Sequence, residues 1–242
     1  MVDTTDESPA APDEKSLGRK AAGGLVWSLL GFLVVQLGSF GTFTIAAHVI
    51  GDAGIGVVGA AQTLVFWIDI LLGLGMGAAL IYEQEKGQSE RVAVAFTVNL
   101  SVGVFISAVL FVFAVPIDGA FGSNDPNIFR VLSLLVLIKS LGQVPDSMLQ
   151  RDLDFRRRLA AMFTRSLTRF AVAVALLLSG VGPISLVIGV TVGEALAVGV
   201  TWLLARFRPR LRFDWSIARP MLQFGLSMFG AQVVGMIWLN GD

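Results

Sequence analysis

The chain has 242 residues, 55% of them hydrophobic and only 15% charged, with 18 basic residues balancing 18 acidic ones. A water-soluble domain of that composition could not cover its surface with polar groups, so lipid is the solvent that suits most of it. Zero net charge gives no field to gather nucleic acid, the absence of cysteine excludes disulfides and thiolate metal sites, and a single histidine, His48, excludes a His-rich metal centre.

Residues 1–16 are acidic and Pro/Ala-rich, with Asp3, Asp6, Glu7, Asp13 and Glu14 preceding the first basic residue, Lys15. A secretory leader begins basic and ends at a small-residue cleavage site. This segment reads instead as a disordered cytoplasmic tail.

A membrane-spanning helix needs roughly 20 apolar residues. Such stretches follow at about 22–48, 54–81, 92–115, 128–150, 160–180, 183–205 and 217–240. The turn between the first and second falls near Gly51–Gly54. Gly73, Gly75 and Gly77, followed by Ala78 and Ala79, offer a surface for close helix approach late in the second. Pro116 marks the end of the third, and Asn124-Asp125-Pro126 opens the fourth with N-cap chemistry. Ser179-Gly-Val-Gly-Pro183 joins the fifth and sixth as a tight hairpin. The expected fold is therefore all-α: a polytopic membrane protein with a six-helix N-terminal lobe over 17–205, a basic linker over 206–216, and a seventh transmembrane helix over 217–242.

Charge sets the orientation. Lys15, Arg19 and Lys20 precede the first span, and Lys86 and Arg91 lie between the second and third. Arg151, Arg156, Arg157 and Arg158 lie between the fourth and fifth. Arg206, Arg208, Arg210, Arg212 and Arg219 follow the sixth. The turns at the other ends hold no Lys or Arg. Positive residues mark the cytoplasmic side, so the N-terminus is inside and the chain crosses six times before a seventh span begins. The chain stops at Asn240-Gly241-Asp242 on that span, which reads as the front part of a longer protein whose C-terminal lobe is missing here.

Four basic residues remain outside the clusters: Arg130, Lys139, Arg165 and Arg169. A charge at mid-bilayer costs about 2.5–3.5 kcal/mol on an insertion scale, so such residues face a bundle interior or a wet cavity. Asp69, Lys139 and Glu194 fall near the middle of the second, fourth and sixth spans, and three ionisable groups at one depth suit a transport pathway. The blander alternative pairs Lys139 with one acid and leaves the other protonated. Arg165 and Arg169 are four apart and share a helix face, where two guanidiniums could grip a phosphate or diphosphate. Arg165 could instead snorkel to the headgroups or pair with Asp146; Arg169 is deeper and the better ligand. The candidate cavity residues are thus Arg169, Arg165, Lys139, Asp69 and Glu194. Gln36, Gln62, Asn99, Gln143 and Gln232 read as interhelical hydrogen-bond donors and acceptors, and Trp27, Trp202 and Trp215 as interfacial anchors.

No HExxH, GxSxG or Walker A pattern is present, and the loops are short, so the chain does not read as an enzyme. Other features fall in a familiar order. Lys20-Ala-Ala-Gly-Gly-Leu-Val-Trp27 opens the first helix, Gly54-Ile-Gly-Val-Val-Gly59 enters the second, and Gly73-Leu-Gly-Met-Gly-Ala-Ala-Leu-Ile81 follows. Then come Val144-Pro-Asp-Ser-Met-Leu-Gln-Arg-Asp-Leu-Asp-Phe155 and Phe224-Gly225. Over about residues 15–242 this resembles the polysaccharide exporter branch of the multidrug/oligosaccharidyl-lipid/polysaccharide flippase superfamily.

The resemblance implies two six-helix lobes around a central cavity that opens alternately to either side. It also implies a lipid-linked oligosaccharide substrate moved across the cytoplasmic membrane. Lys139 stands where the resemblance leads one to expect a neutral residue. No cofactor is implied, though H+ or Na+ could couple through Asp69 or Glu194. The expected partners are the glycolipid, the bilayer, the missing C-terminal lobe and glycan-synthesis enzymes, with no nucleic acid. A drug/cation antiporter of the same superfamily and a non-transporting scaffold for glycan synthesis are the competing readings.

Overall fold

The computed structural model describes residues 14–72, 88–122, 125–152 and 154–239, and every regular element among them is an α-helix. They are α1 (Glu14–Leu72), α2 (Gln88–Val112), α3 (Ala114–Phe121), α4 (Asn127–Arg151), α5 (Phe155–Leu178), α6 (Ile184–Leu204) and α7 (Trp215–Leu239). Five segments are long and apolar enough to cross a membrane: Leu29–Gly51, Glu90–Val112, Asn127–Arg151, Phe155–Leu178 and Ile184–Leu204. The protein is a multi-pass protein of the cell membrane.

The expected turn between the first two spans contracts to one residue. Gly51 breaks α1 at φ 68°, ψ −176°, a backbone region essentially reserved for glycine. Two arms result, one before and one after Gly51.

The helices meet in a consistent register. Along the first arm Gly31 faces Leu159 and Met162, Gly38 faces Ser166 and Gly41 faces Phe170, so this arm and α5 ascend together. Asn99 Nδ2 donates to the Ser140 carbonyl at 2.8 Å and Ser107 Oγ to the Ser133 carbonyl at 2.7 Å, so α2 and α4 run antiparallel. Ile128, Phe129, Leu132 and Leu135 of α4 share a core cluster with Val187 of α6, while Gly142 faces Val198; these two run parallel. The alternation is what successive crossings demand. Lipid offers no hydrophobic drive for helices to associate, so close packing at small residues and buried hydrogen bonds such as Asn99–Ser140 hold the bundle.

At the end of the bundle where α6 finishes, the rings of Phe96, Trp202 and Phe207 meet edge-on or tilted, and Trp202 Nε1 donates to the Leu141 carbonyl at 2.9 Å. The linker after α6 is tied to α2: the Arg212 amide donates to Thr97 Oγ1 at 2.9 Å, and Arg212 Nη1 lies 2.5 Å from Glu90 Oε1. Asp214 then opens α7. Its Oδ1 accepts from the Ser216 hydroxyl at 2.6 Å and the Ser216 amide at 2.9 Å, which holds the Asp214 carboxyl below its ordinary value. Ala218 and Met221 of α7 are buried in clusters with residues of α2.

Several boundaries differ from the sequence expectation. Glu14, Lys15 and Ser16 are the first turn of α1 rather than tail. Pro116 does not end the third span; α2 stops at Val112 and Pro116 sits in the first turn of α3, where a missing N–H costs no helix bond. α5 begins at Phe155, with Asp154 Oδ1 accepting from the Arg157 amide at 3.2 Å, so Arg156, Arg157 and Arg158 occupy its first turn. Asp125 Oδ1 accepts from the Asn127 amide at 3.1 Å at the start of α4, while Asn124 lies outside the described residues. The rest of the acidic tail, Gly73–Ala79, Lys86 and 240–242 also lie outside them, as do the side chains of Trp27, Gln62 and Gln232.

Candidate functional site

The three mid-membrane groups expected at one depth separate into two ion pairs. Lys139 Nζ of α4 lies 2.5 Å and 2.7 Å from the two carboxylate oxygens of Asp69 on the second arm of α1. Glu194 of α6 does not join them. It turns to α5, where Arg165 holds it with two contacts, Nη2–Oε1 at 3.0 Å and Nε–Oε2 at 2.8 Å. Asp146, weighed as a partner of Arg165, faces Arg158 instead at 3.6 Å. The reason is geometric. α4 runs beside both the second arm and α6, and its faces are committed separately: Lys139 looks to one neighbour, Gly142 to the other.

The Arg165–Glu194 pair depends on close approach of α5 and α6. A Cβ on Gly193 would lie 2.8 Å from the Arg165 carbonyl oxygen and 3.1 Å from the Arg169 amide, and one on Gly189 would lie 2.9 Å from the Arg169 carbonyl. Only glycine lets the helices meet at this depth. Glu194 is left 8% exposed, and a buried carboxylate needs a partner of this bidentate kind.

Arg169, one turn further along α5, points elsewhere. It lines a cavity of about 580 Å³ with Gln36, Phe40 and Phe43 of the first arm, Phe66 and Asp69 of the second, Leu132 of α4, and Val187 and Val190 of α6. Its guanidinium has no hydrogen-bond or ion-pair partner among the described residues. Asp69 thus contributes to both places: it holds Lys139 and forms part of the cavity wall. The site so built has one uncommitted cation, one carboxylate, one amide and an aromatic lining. Such a set can hold an anionic oxygen group while apolar and aromatic faces take the remainder of a ligand. No group of three His, Cys, Asp or Glu side chains comes together among the described residues to hold a metal.

The aromatic wall goes beyond the charged residues that depth singles out, though its signal is present in the sequence. Gln36, Phe40 and Phe43 are spaced by four and three residues, and Phe66 and Asp69 by three, so each set shares a helix face. Gln36 is a cavity residue. Arg130, the fourth cation outside the clusters, is exposed and donates to Asn127 Oδ1 at 3.0 Å. His48 stays within its own helix, Nδ1 lying 2.9 Å from the Thr44 carbonyl.

Comparison with known proteins agrees with this architecture. The chain is 29% identical over 217 residues to the succinoglycan biosynthesis transport protein ExoT of Rhizobium meliloti, covering 87% of this chain and 43% of that protein. It is 31% identical over 88 residues to the teichuronic acid biosynthesis protein TuaB of Bacillus subtilis, covering 36% and 18%. The chain therefore spans less than half the length of the curated relatives it matches. Among solved structures, its fold matches an outward-facing MATE multidrug-resistance transporter of the MOP superfamily with a TM-score of 0.69 at 16% identity, over 89% of this chain and 53% of that one. A mutant MATE structure matches at 0.67 and 17%, over 89% and 54%. A family model described as polysaccharide biosynthesis protein matches residues 45–242, and the chain belongs to that family.

Proposed function

We propose that the protein exports lipid-linked oligosaccharide or polysaccharide repeat units across the cytoplasmic membrane by alternating access. The observation that carries this reading is the cavity at Arg169: a guanidinium with no partner among the described residues, facing an aromatic-walled space within a bundle of apolar helices. A polar glycan cannot cross hydrocarbon unaided. A guanidinium offers a phosphate bidentate, charge-assisted hydrogen bonds, and Phe40, Phe43 and Phe66 offer the apolar faces that sugar rings stack on. Sites at the bilayer midplane, with access switched by rocking of helix bundles, are the general design of secondary transporters. The names of the relatives, a succinoglycan transport protein and a teichuronic acid biosynthesis protein, support the substrate class.

The test is export of lipid-linked repeat units in cells lacking their own exporter. Wild-type protein is expected to carry the glycolipid to the outer leaflet, where an impermeant glycosidase reaches it, and Arg169→Ala is expected to leave most of it inside. Equal export by Arg169→Ala at equal membrane levels would remove the ligand role of Arg169.

The likeness of fold to MATE transporters favours a second reading, a drug/cation antiporter coupled to H+ or Na+ through Asp69. Ion-coupled drug efflux by the wild-type protein that Asp69→Asn abolishes, with no glycolipid export by either, would favour it over the first.

A further inference from the structure

A second site lies at the cytoplasmic end, away from the Arg169 cavity. Arg151 of α4 and Arg206, Arg208 and Arg210 of the linker line a cleft of about 440 Å³, with Val92 and Phe207 on its apolar side. Arg151 is engaged by Asp152 at 3.2 Å. The side chains of the other three have no hydrogen-bond or ion-pair partner among the described residues.

The backbone holds one of them at a cost. After α6 the Phe207 amide bonds to the Trp202 carbonyl at 3.0 Å and the Arg206 amide to the Leu203 carbonyl at 3.3 Å, with the Phe207 and Trp202 rings 5.6 Å apart. This is a Schellman ending, whose left-handed position normally belongs to glycine. Here it is Arg206 at φ 49°, the one non-glycine residue with positive φ among those described. A strained residue that presents a charge to a cleft is an observation from which function is inferred.

We propose that this cleft binds the headgroup of an anionic phospholipid of the cytoplasmic leaflet. The phosphate chemistry follows from three guanidiniums that line one space and have no partner among the described residues. The lipid, rather than free phosphate, follows from the linker itself. From Arg206 to Phe213 arginine alternates with Phe207, Pro209, Leu211 and Phe213. Leu211, Phe213 and Trp215 are each more than half exposed, which suits the boundary between headgroups and acyl chains.

The test uses the purified protein in nanodiscs of equimolar phosphatidylglycerol and phosphatidylcholine, with retained lipid counted by native mass spectrometry. Wild-type protein should retain phosphatidylglycerol preferentially, and Arg208→Gln with Arg210→Gln should lower that preference by about fivefold for each arginine. Arg206→Gly should also lower it, while leaving unchanged or raising the thermal midpoint in pure phosphatidylcholine, because glycine relieves the left-handed strain. Arg156→Gln with Arg219→Gln removes the same charge outside the cleft and should leave the preference intact. Equal loss in that pair, or no loss in the cleft variants, overturns the site. Displacement of phosphatidylglycerol by millimolar inorganic phosphate overturns the assignment to lipid.

Discussion

Lys139 and Asp69 lie 70 residues apart in sequence, yet Lys139 Nζ touches both oxygens of the Asp69 carboxylate, at 2.5 Å and 2.7 Å. The pair joins α4 to the second arm of α1 at the wall of the Arg169 cavity. Removing one member strands the other in a membrane interior, whereas removing both leaves no orphan. Lys139→Ala and Asp69→Ala are each expected to lower the thermal midpoint in detergent. The double variant should recover part of the loss, with a coupling of about 0.5–3 kcal/mol. Additive losses would show that the pair does not hold these helices together.

Gly193 sets the spacing that makes the Arg165–Glu194 pair possible. Gly193→Ala would place a Cβ 2.8 Å from a backbone oxygen of α5, which cannot swing aside as a side chain can. The expected cost is about 1–3 kcal/mol from overpacking, seen as a lower unfolding temperature. Gly199, on the same helix, has nothing within 4 Å of such a Cβ, and Gly199→Ala should be neutral or slightly stabilising. Equal effects at both positions would mean that the close approach is unimportant.

The class and the identity of the charged residues could be read from the sequence because each rests on local composition. Lipid length sets the spans, and basic residues mark one side. Partner choice could not be read in the same way. Depth placed Asp69, Lys139 and Glu194 together, but depth leaves azimuth undetermined. Glu194 faces α5 because Gly189 and Gly193 line the α5-facing side of α6, while Lys139 faces the second arm because Gly142 gives the other side of α4 to Val198. The bend between the first two spans was visible as a glycine cluster, and only its backbone angles single out Gly51.

Arg169 is expected to act as a bidentate anion ligand, not as a generic positive charge. Arg169→Lys keeps the charge and loses the planar fork, so glycolipid export should fall by about tenfold while membrane levels hold. Arg165→Ala should reduce export less than Arg169→Ala, and should instead lower thermal stability by stranding Glu194. Export that follows charge alone, with Arg169→Lys equal to wild type, would rule out the bidentate contact.

Asp214 gives a pH dependence outside the membrane. Its carboxyl is held below the ordinary value chiefly by the Ser216 hydroxyl and amide, with Arg212 adding to the effect. A depressed folded value means that the stabilisation is present above the unfolded value, about 3.9, and is lost as pH falls through the lower folded value. Amide exchange at Ser216, Ile217 and Ala218 should therefore lose protection at acid pH beyond what intrinsic exchange predicts. In Asp214→Asn that pH dependence should vanish while the helix start survives, because Asn also caps. Identical profiles in wild type and Asp214→Asn would assign the acid sensitivity to other groups.

The pairing of charges in the bundle has an electrical consequence. Asp69 with Lys139, and Glu194 with Arg165, cancel in formal charge, so carrying either pair as a unit along a transmembrane voltage does no net work. Arg169 does. Each elementary charge carried across a potential of 100 mV exchanges about 2.3 kcal/mol with the field. On the proposed reading, the empty cavity carries a positive charge and an inside-negative potential draws it toward the cytoplasmic opening. A doubly charged diphosphate seated on Arg169 reverses the sign, and the same potential then drives the loaded cavity outward. The Arg169 guanidinium would thus let the resting voltage favour loading inside and release outside, without a coupling ion.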